Sequence, residues 1–234
     1  MGSQSQLIDM VFDTGSDWVV IPDKNCTNCD GRRHDNLISG IAVDNTTITE
    51  RNYGSASLQG YTWKDKVCLG SSAATCALNM TYFSFIQQRG INDPLEGILG
   101  LSQNKQMMLS SEEMIVGPIF PNELFKQGKL LTPSFSFAMN GYQADEPSTV
   151  DFGNANPMRA NLTAKITLGF NDDFFWSTYM QAVKFGNYSE YAIDGSPYAI
   201  FDTGVSHLMV PPNLLEPFLD NIIGAAGGKA EYAI

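Results

Sequence analysis

The sequence predicts a mainly β protein built as two related lobes, and three observations carry that prediction. Residues 11–22 read VFDTGSDWVVIP and residues 200–211 read IFDTGVSHLMVP, so one pattern recurs late in the chain. Each copy has an apolar pair, then Asp-Thr-Gly, a Ser within two positions, and a Pro nine positions after the Asp. A separation of 189 residues is far outside the roughly 20–50-residue period of stacked repeats and fits two lobes that each contribute one loop. Second, short runs punctuated by Gly, Pro and Asn outnumber helical ones. Third, a 234-residue chain with 43% hydrophobic and 17% charged residues can bury a core, and its length suits one large domain or two lobes. We expect residues 1–150 to form an N-terminal β lobe and 151–234 to begin a C-terminal one.

Taken in order, residues 11–13 and 200–202 are apolar strands running into Asp-Thr-Gly loops. TITERNYGSASLQGYTW (residues 47–63) reads as a hairpin with a small-residue tip. LEGILGL (95–101) is an apolar strand interrupted by Gly97 and Gly100, which suggests close backbone approach. PNELFKQGKLL (121–131) is helical with Gly128 just past its end. PSFSFAM and STVDFG alternate as strands. PPNLLEPFLDNII (211–223) sets Leu214, Leu215, Phe218, Ile222 and Ile223 on one helical face, opened by Pro and closed by Gly224. The Met-rich segment 104–120 reads as a loop and short helix.

The net charge of −11 argues against a nucleic-acid partner, since nothing here neutralises a row of phosphates. No run reaches the roughly 18–20 apolar residues of a membrane span. The opening MGSQSQLIDMVFD has neither the basic nor the apolar region of a secretory leader. Four cysteines fall as two close pairs, Cys26/Cys29 and Cys68/Cys76. Only the first has the spacing of a zinc knuckle, so no metal site is expected. Two short disulfides are favoured over free thiols. Asn25, Asn45, Asn79, Asn161 and Asn187 each begin an Asn-x-Ser/Thr glycosylation sequon. The cysteine pairs and the sequons point to a secretory, extracellular or lysosomal/vacuolar compartment, with the targeting peptide expected to be absent from this stretch of sequence.

One Asp-Thr-Gly is weak evidence, but two copies in the same apolar frame point to paired carboxylates. Two Asp carboxyls a hydrogen bond apart share one proton, because both cannot ionise cheaply. The ionised member takes a proton from water, and the protonated one hydrogen-bonds a carbonyl as it becomes tetrahedral. Gly beside each Asp lets backbone N–H groups come close. No cofactor or metal is required.

These residues resemble the pepsin-like aspartic proteases. GSQSQ (2–6) is similar to the strand preceding the first motif, VFDTGSDWVVIP and IFDTGVSHLMVPP to the two active-site motifs, LEGILGL to the glycine-crossed segment and NYGSASLQG to the flap. LFKQG, FSF and VDFG follow in the family's order, so the likeness runs from residue 2 to about 220. It implies a bilobal acid protease fold, with a complete-looking first lobe and a partial second. It further implies endopeptidase activity on polypeptide substrates, no cofactor, and a monomer at full length. Asp13 and Asp202 correspond to the catalytic pair, Thr14 and Thr203 to a crossed hydroxyl brace, and Gly15 and Gly204 to the close-approach glycines. Ser16 corresponds to the donor beside the first Asp. Tyr53, Gly54 and Ser55 correspond to the flap tip. Cys26/Cys29 falls where the family has a small disulfide loop, with tighter spacing here. Leu95 and Ile98 correspond to subsite positions.

Three departures qualify the likeness. Val205 stands where the family has Thr or Ser and gives Asp202 no donor, so we expect the pair to stay active to higher pH than with the hydroxyl restored. Val20 stands where many members carry a Trp against the flap Tyr; Trp18, two residues earlier on the same strand face, would supply that bulk. Ala56 replaces a flap Gly, which stiffens the tip. The chain runs 32 residues past Asp202, about two thirds of a two-lobed unit. The rival reading is a catalytically silent pepsin-like binding or inhibitor protein. A serine hydrolase fails on inventory, since His34 and His207 are the two histidines and no G-x-S-x-G occurs. His207 is expected to be a plain strand residue.

Overall fold

The computed structural model describes residues 1–54, 56–90, 96–103, 117–141, 145–154, 156, 167–169, 174–184, 190–192 and 198–226. Among them the protein is mainly β, with twelve strands and two α-helices. Strands β1 (Val11–Asp13), β2 (Val19–Pro22), β3 (Ile41–Tyr53), β4 (Ala56–Cys68), β5 (Cys76–Arg89) and β6 (Ile98–Gly100) form one sheet, ordered β1-β6-β2-β5-β4-β3. The long strands β3, β4 and β5 make an antiparallel meander. The β3–β4 hairpin closes at Tyr53↔Ala56, where Gly54 turns the chain. Its strands are longer than the sequence pattern indicated and carry register shifts between Ala42 and Thr49. β5 then runs parallel to β2, and β6 lies between β2 and β1, antiparallel to the first and parallel to the second.

Alternation along β2 explains why this sheet is buried on both faces. Val19 and Ile21 enter one cluster with Trp63, Met80, Tyr82, Leu99, Leu101, Phe120 and Leu124. Val20 enters another with Trp18, Leu58, Phe83, Phe85, Ile98 and the Cys26–Cys29 pair. Each fully buried Leu or Phe here contributes about 1.5–3 kcal/mol relative to an exposed one.

Helix α1 (Phe120–Lys126) covers the first cluster with Phe120 and Leu124. Pro121 occupies its first turn, and Gly128 follows its end at φ +68°, a conformation that suits a residue without Cβ. Antiparallel pairs complete the strands: β7 (Phe135–Ala138) with β8 (Thr149–Phe152), β9 (Ser177–Tyr179) with β12 (Tyr198–Ile200), and β10 (Ala182–Lys184) with β11 (Glu190–Ala192). Helix α2 (Pro212–Ala226) runs through Gly224 rather than stopping there. Its buried residues Leu214 and Phe218 lie one turn apart, whereas Leu215 is 40% exposed, so the apolar stripe is narrower than the pattern suggested. The expected loop and helix of 104–120 fall, for 104–116, outside the described residues. No helix among the described residues is long and apolar enough to cross a membrane.

Candidate active site

β1 delivers Asp13 to the edge of the sheet, opposite Gly100 of β6. The backbone beyond it is tied to the same segment, since Leu101 N–H donates to Asp13 O at 2.7 Å and Ser102 N–H to Ser16 O at 2.9 Å. On the other side, β12 leads into Asp202, and Phe201 N–H donates to Trp176 O at 2.9 Å. The two Asp-Thr-Gly loops meet through their threonines. Thr14 N–H donates to Thr203 Oγ1 at 3.1 Å and Thr203 N–H to Thr14 Oγ1 at 2.9 Å. Each hydroxyl in turn donates to the strand of the opposite loop, Thr14 to Phe201 O at 2.8 Å and Thr203 to Phe12 O at 2.6 Å.

That network sets the two carboxyls against each other. Gly15 N–H donates to Asp13 Oδ1 at 2.9 Å and Gly204 N–H to Asp202 Oδ1 at 2.8 Å. The glycines are required by proximity: a Cβ at Gly15 would overlap the Asp202 carboxyl, and one at Gly204 would overlap Asp13 Oδ1. The Ser16 hydroxyl donates to Asp13 Oδ2. Asp13 is buried and Asp202 half-buried. Burial pushes the Asp13 carboxyl up from 3.8 to about 6; the Ser16 and Gly15 donors pull the other way, while Asp202 adds to the rise by its charge and by hydrogen bonding. Asp13 therefore holds its proton well into the mildly acid range, beside a second carboxyl with which it can share it.

Tyr53 sits at the end of β3, half-buried against the cluster of Trp18, Val20, Leu58, Phe83 and Phe85. Burial, and then the neighbouring Asp17, push its hydroxyl above the ordinary range, so it stays neutral and can donate. Gly54 is exposed at the turn, and Ser55 lies outside the described residues. Trp18 and Val20 share this cluster, although not by strand alternation. Trp18 precedes β2 with φ +63°, and that turn of the backbone swings its indole to the Val20 side. Beneath Tyr53 lie two residues the motif reading passed over, Asp17 and Arg51. The available signal was that Arg51, two positions before Tyr53, shares its strand face.

The structure joins Cys26 to Cys29 and Cys68 to Cys76. The first bridge packs in the cluster under Tyr53, and the second links the outer ends of β4 and β5. Asn25 and Asn79 are exposed; the Asn45 side chain, Asn161 and Asn187 lie outside the described set, as does Leu95. Ile98 is buried in the Trp18 cluster. His207 is exposed in a loop rather than on a strand. Among the described residues no cluster of three or more His, Cys, Asp or Glu could hold a metal ion.

Comparison with known proteins matches the family model "Eukaryotic aspartyl protease" over residues 1–234. The chain is 26% identical to vacuolar protease A of Arthroderma otae over 92% of its length and 53% of the relative's. It is 28% identical to cathepsin D of Gallus gallus over 100% of its length and 58% of that protein's. For cathepsin E of Rattus norvegicus the figures are 25%, 100% and 58%. The chain thus spans little more than half the length of the curated relatives it matches. With the family model covering every residue, the chain belongs to the eukaryotic aspartyl protease family.

Proposed function

We propose that this protein is an aspartic endopeptidase in which Asp13 and Asp202 form a general acid/base pair acting on polypeptide substrates. The observation that carries this reading is the contact between the two carboxyls across the threonine brace, with Asp13 pushed up to about 6. Between them the pair holds one proton over the acid range. The ionised carboxylate takes a proton from the water that attacks the peptide carbonyl, while the protonated one donates to the carbonyl oxygen; on collapse the first passes its proton to the leaving amine and the second recovers its own from the tetrahedral hydroxyl. Tyr53 and Gly54 lie at a hairpin turn suited to covering an extended peptide. Residues 1–150 and 151–234 are assigned to an N-terminal and a C-terminal lobe. A secretory or vacuolar/lysosomal location agrees with the two disulfides and with the relatives' names.

The test is cleavage of acid-denatured haemoglobin by the full-length protein, with inhibition by a statine-type transition-state analogue. Asp13→Asn and Asp202→Asn should each abolish cleavage. The reading fails if the wild type cleaves nothing or if either variant retains activity. One observation favours a silent binding protein instead: Asp202 is less buried than Asp13 and has Val205, which offers no donor, beside it. Statine binding without cleavage would select that second reading.

A further inference from the structure

Arg51 is a cation placed among aromatic rings. Its guanidinium carbon lies 3.9 Å from the centroid of the Trp18 ring and 5.3 Å from that of Phe83. Both rings belong to the cluster against which Tyr53 packs. Removing a guanidinium from water is costly unless charge and π-faces replace the lost hydration. Here both are present. The half-buried Asp17 lies close enough for its carboxylate and Arg51 to attract each other.

The loop that supplies these partners is itself constrained. Trp18 holds φ +63°, a conformation costing a bulky L-residue on the order of 1 kcal/mol. Its indole is backed by Gly117, where any Cβ would strike the ring. Gly117 N–H also donates to Asp17 Oδ2 at 2.5 Å. One fixed turn, directly after the Asp13-Thr14-Gly15-Ser16 loop, thus presents an aromatic face and a carboxylate to the underside of β3. Arg51 reaches down onto both, and Tyr53 follows two residues later on the same face.

We propose that Arg51 is a positioning residue that seats the Tyr53 hairpin over the carboxyl pair, by stacking on Trp18 and facing Asp17. This rests on the proteolytic reading above. The planar guanidinium suits the task because it stacks on indole while keeping its charge, which an ammonium does less well. The charged or titratable groups facing Arg51 are Asp17 and Tyr53, and Tyr53 in turn feels Asp17, Arg51 and Asp13. Burial raises the Asp17 carboxyl, with the Gly117 N–H and Arg51 opposing. Acidification therefore neutralises Asp17 before an exposed Asp would be neutralised, and removes its attraction for Arg51 while the stacking on Trp18 stays. The seat loosens toward low pH, where an acid protease must open to admit substrate.

The experiment uses the full-length protein and combines amide hydrogen exchange of residues 49–60 and 76–89 with steady-state kinetics. Arg51→Met, which keeps length and apolar packing, should raise exchange at the hairpin tip about tenfold while leaving residues 76–89 unchanged. KM should rise by about the same factor with kcat within about twofold. Arg51→Lys should recover part of both effects. Asp17→Asn should loosen the tip near neutral pH and become indistinguishable from wild type as pH falls. Tip exchange equal to wild type in Arg51→Met overturns the proposal, as does a rise spread equally over residues 76–89. Should the Met variant not fold, Arg51→Lys decides: faster exchange confined to the tip supports the proposal, and no change overturns it. If the wild type cleaves nothing, the proteolytic reading falls while the exchange arm still reports on the seat.

Discussion

Thr14 and Thr203, 189 residues apart, each accept a hydrogen bond from the other's backbone N–H at their side-chain oxygen. Because each hydroxyl also donates to the strand carrying the other loop, neither threonine can move without breaking bonds on both sides. This reciprocity aligns the two Asp-Thr-Gly loops and brings their carboxyls together.

The first prediction concerns that coupling. Thr14→Val and Thr203→Val each leave partners without a hydrogen bond, so each single change should destabilise by about 1–3 kcal/mol. The double variant should cost less than the sum, with an interaction energy of about 1–3 kcal/mol in a double-mutant cycle. Additive urea midpoints would show that the brace is not shared.

The second concerns pH. Asp13 loses its proton near pH 6 rather than 3.8, so the alkaline limb of activity should lie in that region. Ser16→Ala removes a donor to the charged form and should move the limb upward; Val205→Thr supplies a donor to the pair and should move it downward. Linkage gives a second readout. The folded state holds the Asp13 proton more strongly than the unfolded chain, so this group favours folding less as pH rises from about 4 to about 6. Asp13→Asn, which cannot ionise, should gain stability relative to wild type across that window in thermal melts.

The third concerns His34. It is fully buried, edge-on to Tyr82 at 6.0 Å, and neither ring nitrogen has a hydrogen-bond partner among the described residues. Burial lowers its value from 6.5 to about 4, although Asp65, Asp23 and Asp35 pull it upward. A His that stays neutral in the folded state contributes its full stability above pH 6.5, and that contribution is lost as pH falls toward 4. The loss amounts to about 3 kcal/mol at about 1.4 kcal/mol per pH unit. His34→Leu should lower the acid-unfolding midpoint, while an unchanged midpoint would mean the imidazole does not drive acid instability.

The fourth concerns the glycines. Gly15→Ala and Gly204→Ala would each push a methyl into the opposite carboxyl. Each should reduce kcat/KM by about a hundredfold or more, since misplacement by about 1 Å has that effect. Stability should fall by about 1–3 kcal/mol, as in other overpacked sites, leaving the folded protein available for the kinetic measurement. Activity within about twofold of wild type would show that the carboxyls do not need this proximity.

Much of the fold was legible because local chemistry dictates it. The hairpin of β3 and β4 follows from Thr, Ile and Tyr runs around Gly54. Helix α1 follows from Pro121 and Gly128, which act through their own φ preferences. Helix α2 was found, but its end was misplaced because one Gly costs only about 1 kcal/mol within a helix. The burial of both sheet faces was not legible, since alternation along β2 does not say what packs on either side.

The sequence by itself determined the two Asp-Thr-Gly loops, the tyrosine hairpin and the family, because each is written in contiguous residues with fixed spacing. The family resemblance implied the threonine brace and an unequal pair; tertiary structure decided which atoms the brace joins, the different burial of Asp13 and Asp202, and the placement of Arg51 on Trp18 beside Asp17. Those depend on distances between residues far apart in the chain, and on burial, which raises Asp13 and removes water from around Arg51. Neither is a property of any local stretch of sequence.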